Sequence, residues 1–107
     1  MIALLLALAL TQQPVAPSVG TIDETVAPGA NFDKAEFRLF LPPSVAKARA
    51  IVVLVPGSNG DGRPMADDPF WRGFAERQGV ALVACRFTDK PHDQGFIEEY
   101  VDVSKGS

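Results

Sequence analysis

The stretch AIVVLVPGSNGDGRP, Ala50 to Pro64, decides the fold. Its first half, Ile51-Val52-Val53-Leu54-Val55, is apolar at every position and mostly β-branched. That pattern predicts a strand covered on both faces by helices. Its second half, Gly57-Ser58-Asn59-Gly60-Asp61-Gly62, is a loop of turn residues. Downstream, Val80-Ala81-Leu82-Val83-Ala84-Cys85 repeats the character of the first strand. Between them lies a helix, with Asp68 as its cap, Pro69 at its first position and Gly79 closing it. Phe70, Trp71, Phe74 and Ala75 share one stripe of that helix, which reads Trp71 as a core anchor, while Arg72, Glu76 and Arg77 lie elsewhere. Strand, loop, helix, strand is a βαβ unit, so the class is α/β, with two parallel strands and a right-handed crossover.

Upstream, Glu36 to Leu41 alternates, with Phe37, Leu39 and Leu41 on one face, as in a half-exposed strand near a sheet edge. Pro42-Pro43 ends it, because neither residue donates a ladder hydrogen bond. Residues 12–31, rich in Pro, Val, Ala and Thr, read as a linker, and residues 32–107 as the domain. Ile2 to Leu10 is apolar but far short of the roughly 20 residues of a membrane span. With small residues for a cleavage site at Ala7-Leu8-Ala9 or Ala9-Leu10-Thr11, it reads as a signal peptide over residues 1–11, which predicts a secreted or periplasmic protein.

The chain of 107 residues has room for one small domain. A net charge of −3, with the basic residues scattered singly, argues against a nucleic-acid partner. The single cysteine, Cys85, excludes an intramolecular disulfide and reads as a small buried core residue. After it, Arg86 to Gly95 is a polar loop holding the one histidine, His92, beside Asp93, and Phe96 to Val103 begins a helix. Strands so apolar leave an edge bare, which predicts either further strands beyond Ser107 or self-association through that edge.

Four ligands suit a glycine-rich turn after a buried strand. For a phosphate, Gly57 and Gly62 fit the ends of G-x-x-x-x-G-K-[ST], but Arg63 and Pro64 replace the lysine and the hydroxyl, and Asp61 adds a negative charge. For a dinucleotide, Gly60-Asp61-Gly62 supplies G-x-G, but Met65 stands where the third glycine belongs. For calcium, Asn59, Asp61, Asp67 and Asp68 lack regular spacing and a closing glutamate. The fourth is the oxyanion of acyl transfer, which needs main-chain N–H groups on a loop that a substrate can approach closely. No cofactor or metal is expected.

The run FRLFLPPSVAKARAIVVLVPGSNGDGR, followed by DDPFWRGFAERQGVALVACRF, resembles the N-terminal part of an α/β-hydrolase of the polyhydroxybutyrate-depolymerase-like or feruloyl-esterase-like kind. The likeness spans residues 32–107, and Pro56 stands where many members carry histidine. It implies a partial α/β-hydrolase fold in which Ser58 or Asn59 supplies an oxyanion-hole N–H, with Gly57 and Gly60 shaping the loop. The nucleophile elbow G-x-S-x-G occurs nowhere in the chain, and Ser58 does not satisfy it. His92 precedes any place for the elbow, whereas this fold orders its triad serine, acid, histidine, so Ser58, Asp93 and His92 form no triad. The implied protein is therefore a serine hydrolase, first a carboxylic-ester hydrolase acting on a small or polymeric ester. This chain would supply the oxyanion loop, no catalytic residue, and no turnover alone. The alternatives are part of a prolyl-oligopeptidase-like peptidase and a non-catalytic secreted interaction module.

Overall fold

A computed structural model describes residues 20–91 and Tyr100. Strands β1 (Thr21–Val26), β2 (Lys34–Phe40) and β3 (Ile51–Leu54) precede a 3₁₀ turn (Arg63–Asp67), helix α1 (Pro69–Gln78) and strand β4 (Ala81–Thr88). They build one mixed four-stranded sheet in the order β1-β2-β4-β3. β2 runs antiparallel to both neighbours, and β3 runs parallel to β4, as a βαβ unit requires. The class is thus α/β.

α1 begins and ends where its caps place it. The Asp68 carboxylate accepts the Phe70 N–H at 2.8 Å, and Pro69 occupies the first turn, where its missing N–H costs nothing. Gly79 takes the left-handed conformation at φ 65°, and its N–H bonds the Ala75 carbonyl. With the 3₁₀ turn, α1 covers one face of the sheet. The core there contains Phe40, Leu54, Ala66, Ala75, Val80, Leu82 and Ala84, with Val52, Met65, Trp71 and Phe74 packed against it. Trp71 therefore anchors the helix, as its spacing predicts. Phe70 does not join it and is 67 % exposed, because it sits at the outer edge of the stripe beside Pro69. Arg72 takes the inward place instead, its guanidinium 4.2 Å from the centre of the Phe40 ring.

Three expectations about the strands need correction. First, β2 is interior. Thr21–Val26, inside the stretch read as linker, pairs along its whole length with β2, and its β-branched Thr21, Ile22, Thr25 and Val26 suit that role. Second, the covered face of β2 is the one bearing Glu36, Arg38 and Phe40. Phe37 and Leu39 lie half-buried on the opposite face. Charge on a covered face is tolerable because every charge is paired. Arg38 bonds Asp23 at 2.8 Å and also Asp67, while Glu36 meets Arg86 at 3.2 Å and Arg63 at 3.4 Å. Third, β3 is covered on one side only. Leu54 is buried, whereas Ile51, Val53 and Val55 remain 62 %, 59 % and 69 % exposed on the face opposite α1. β4, between two neighbours, is shielded far better, with Leu82 and Ala84 at 0 % and Cys85 at 2 %.

The residues read as a signal peptide, the first part of those read as a linker, His92, Asp93 and, apart from Tyr100, the residues expected to begin a helix lie outside the described residues. Among the described residues, no helix is long and apolar enough to cross a membrane.

Candidate functional site

Because β3 and β4 are parallel, the loops after them emerge at one end of the sheet, the carboxyl end, where open α/β sheets take their ligands. Gly57-Ser58-Asn59-Gly60 is a tight turn there. The Gly60 N–H donates to the Gly57 carbonyl at 2.9 Å, and Asn59 has φ 55°. A left-handed third residue is the mark of a type II turn, and asparagine tolerates it better than other non-glycine residues. Gly60 has no room for a side chain, since a Cβ would lie 2.9 Å from the Gly57 carbonyl oxygen.

The far side of the loop is tied to β4. The Gly62 N–H donates to the Cys85 carbonyl at 2.9 Å, and Asp61 bridges Arg86 in antiparallel fashion. Glycine is required at 62, because a Cβ would stand 2.7 Å from that same carbonyl oxygen. The Asp61 carboxylate is held by Arg63, at 2.9 and 2.8 Å, and this guanidinium lowers its pKa to about 2. Asp67 meets Arg38 and Arg72, and Asp68 caps α1. The carboxylates weighed for calcium are thus each committed to a guanidinium or a helix cap. Arg63, in the place of a phosphate-binding lysine, is likewise committed to Asp61 and Glu36.

Asn59 faces the loop after β4. Its Oδ1 accepts the Asp89 N–H at 2.8 Å, its Nδ2 donates to Asp89 Oδ2 at 3.5 Å and to Ser58 Oγ at 3.4 Å, and its own N–H donates to the Tyr100 hydroxyl at 3.4 Å. Tyr100 is held in turn. Its ring stacks on Phe87 with centres 6.0 Å apart, and its N–H donates to Asp89 Oδ1 at 3.2 Å. Asp89 and Tyr100 are members of this end of the sheet that sequence reasoning did not single out. Nothing in their local spacing reveals them, because the contacts cross from one loop to another.

Ser58 is exposed, and its N–H meets no acceptor among the described residues; the same holds for the Gly57 N–H. Of the two residues weighed as oxyanion donors, Ser58 is the one whose N–H is available. Cys85 lies beneath the loop, its thiol 3.7 Å from the Leu54 carbonyl and its pKa raised by burial, which makes it a packing group. An open apolar groove of about 340 Å³, bounded by Ile22, Leu41, Pro42 and Val45 among others, lies at the opposite end of β2 and lacks a convergent set of polar groups.

No family model, no curated protein and no solved structure matches this chain.

Proposed function

We propose that this chain is the oxyanion-loop-bearing part of an α/β-hydrolase, first of all a carboxylic-ester hydrolase. The observation that carries the reading is the Gly57–Gly60 turn. It follows the third strand of the chain, at the carboxyl end of a parallel pair, with Ser58 exposed and its N–H unengaged among the described residues. The loop after the third strand is where α/β-hydrolases place one of their two oxyanion donors; the other comes from the residue after the nucleophile. Loss of one such donor costs about 10²–10³ in turnover, so the loop matters to the reaction without being sufficient for it. On this reading the nucleophilic serine and its histidine base are supplied by residues outside these 107, and the protein is exported.

The test is a titration of the ¹⁵N-labelled chain with ethylphosphonate, a small mimic of the tetrahedral oxyanion. The reading expects a saturable shift of the Ser58 amide signal. A loop whose signals stay still while others move contradicts it.

A second reading, a non-catalytic interaction module, is favoured by the outer edge of β3, which pairs with no other strand among the described residues while Ile51, Val53 and Val55 stand exposed beside it. In that case the loop is only a turn, and another strand adds to the edge.

A further inference from the structure

Asn59 looks from sequence like an alternative oxyanion donor, but its polar groups are spent within the protein. Its N–H goes to the Tyr100 hydroxyl and its Nδ2 to Ser58 Oγ and Asp89 Oδ2, while its Oδ1 receives the Asp89 N–H at 2.8 Å, the shortest contact of the set. The two bonds to Asp89 join the loop after β3 to the loop after β4 through the side chain of a residue that stands at φ 55°. Asparagine tolerates that conformation better than other residues with a Cβ, and the bonds to Asp89 hold it there. We infer that Asn59 is a positioning residue: its carboxamide clasps the β4 loop, and the clasp fixes the turn that leaves the Ser58 N–H free as the donor. The inference rests on the oxyanion-loop reading, whose own failure shows separately in the unaltered chain.

The distinction between donor and clasp has chemical content. A donor acts through its own N–H, which every residue except proline carries, so its side chain is immaterial. A clasp acts through its carboxamide, so removing the side chain while keeping the backbone angle is the discriminating change. Glycine does this, because φ near 55° costs it nothing. Asn59→Gly therefore preserves the main-chain donors and the turn's allowed geometry, and deletes the carboxamide with its bonds to Asp89 and to Ser58 Oγ.

The experiment repeats the ethylphosphonate titration on Asn59→Gly, with amide hydrogen exchange read at Asp89 and a urea midpoint as the measure of global stability. The inference expects the Asp89 amide to lose protection and binding at Ser58 to weaken roughly tenfold, the scale on which loosened donor geometry is felt, with the urea midpoint little changed. Wild-type affinity at Ser58 in Asn59→Gly, with Asp89 unprotected, overturns the clasp and leaves the donor reading intact. A silent Ser58 in the unaltered chain overturns both.

Discussion

At the scale of single residues, the loop after β3 depends on groups that a sequence presents only as turn formers. Gly57, Gly60 and Gly62 read alike in sequence, yet the structure separates them. A Cβ at 57 would meet nothing within 4 Å, while one at 62 would meet the Cys85 carbonyl at 2.7 Å. Gly57→Ala is therefore expected to be tolerated sterically. Gly62→Ala pushes the loop off β4, and the loss of the Gly62 N–H bond to Cys85 would appear as fast amide exchange at 62. The Asp61–Arg63 pair gives the loop its pH dependence. The Asp61 carboxyl is lowered from 3.8 to about 2, so the stability it lends is complete above pH 3.8 and disappears as the pH falls through about 2. Urea midpoints of the unaltered chain and Asp61→Asn should differ at neutral pH and converge near pH 2. A difference that persists there contradicts the pairing. Both partners are part-exposed, so the effect at neutral pH is a small fraction of the total stability. Gly57 and Ser58 were legible as residues of a turn because that role is local. Asp89 and Tyr100 were not, since their places are set by the register of β3 on β4 and by stacking on Phe87.

At the scale of elements, the helix was the most legible part, because its start, stop and buried stripe are all written within a dozen residues. Asp68→Ala removes the cap and is expected to cost about 0.5–2 kcal/mol, measured by urea unfolding. β1 was missed because its six residues alternate only weakly in polarity and pair with a strand that is distant in character, not because they lack β-branched residues. β2 was assigned its faces backwards for a clear physical reason. Alternation locates two faces but does not say which is covered, and Glu36 and Arg38 lie on the covered side only because Asp23, Asp67, Arg63 and Arg86 come from other elements to neutralise them. β3 was read as covered on both sides from its composition, yet among the described residues only one helix packs on the sheet, and a single helix covers a single face. Its edge, unpaired among the described residues, uncharged and flanked by exposed Ile51 and Val53, is expected to make the chain self-associate. Val53→Lys places a charge on the exposed face of that edge strand, and sedimentation velocity should then show a shift toward monomer at unchanged helix content. Equal association in both proteins contradicts this role for β3.

At the scale of the molecule, the core is thin. Among the described residues its seven buried members include Ala66, Ala75 and Ala84, which leaves Leu82, fully buried, among its few large side chains. Leu82→Ala should cost about 2–5 kcal/mol, a large part of the roughly 5–15 kcal/mol that holds a domain together. Circular dichroism is expected to show it largely unfolded near body temperature. A sheet whose outer strands, β1 and β3, each have an unpaired edge among the described residues accords with the central proposal, in which this chain carries the oxyanion loop and other residues bring the nucleophile. The most direct measurement is to read the coding sequence beyond the codon for Ser107. The account predicts an apolar strand and then G-x-S-x-G within a few dozen codons, with a histidine later. A stop codon directly after Ser107, or a long open frame without that elbow, contradicts the hydrolase reading and leaves the loop a turn beside an interaction edge.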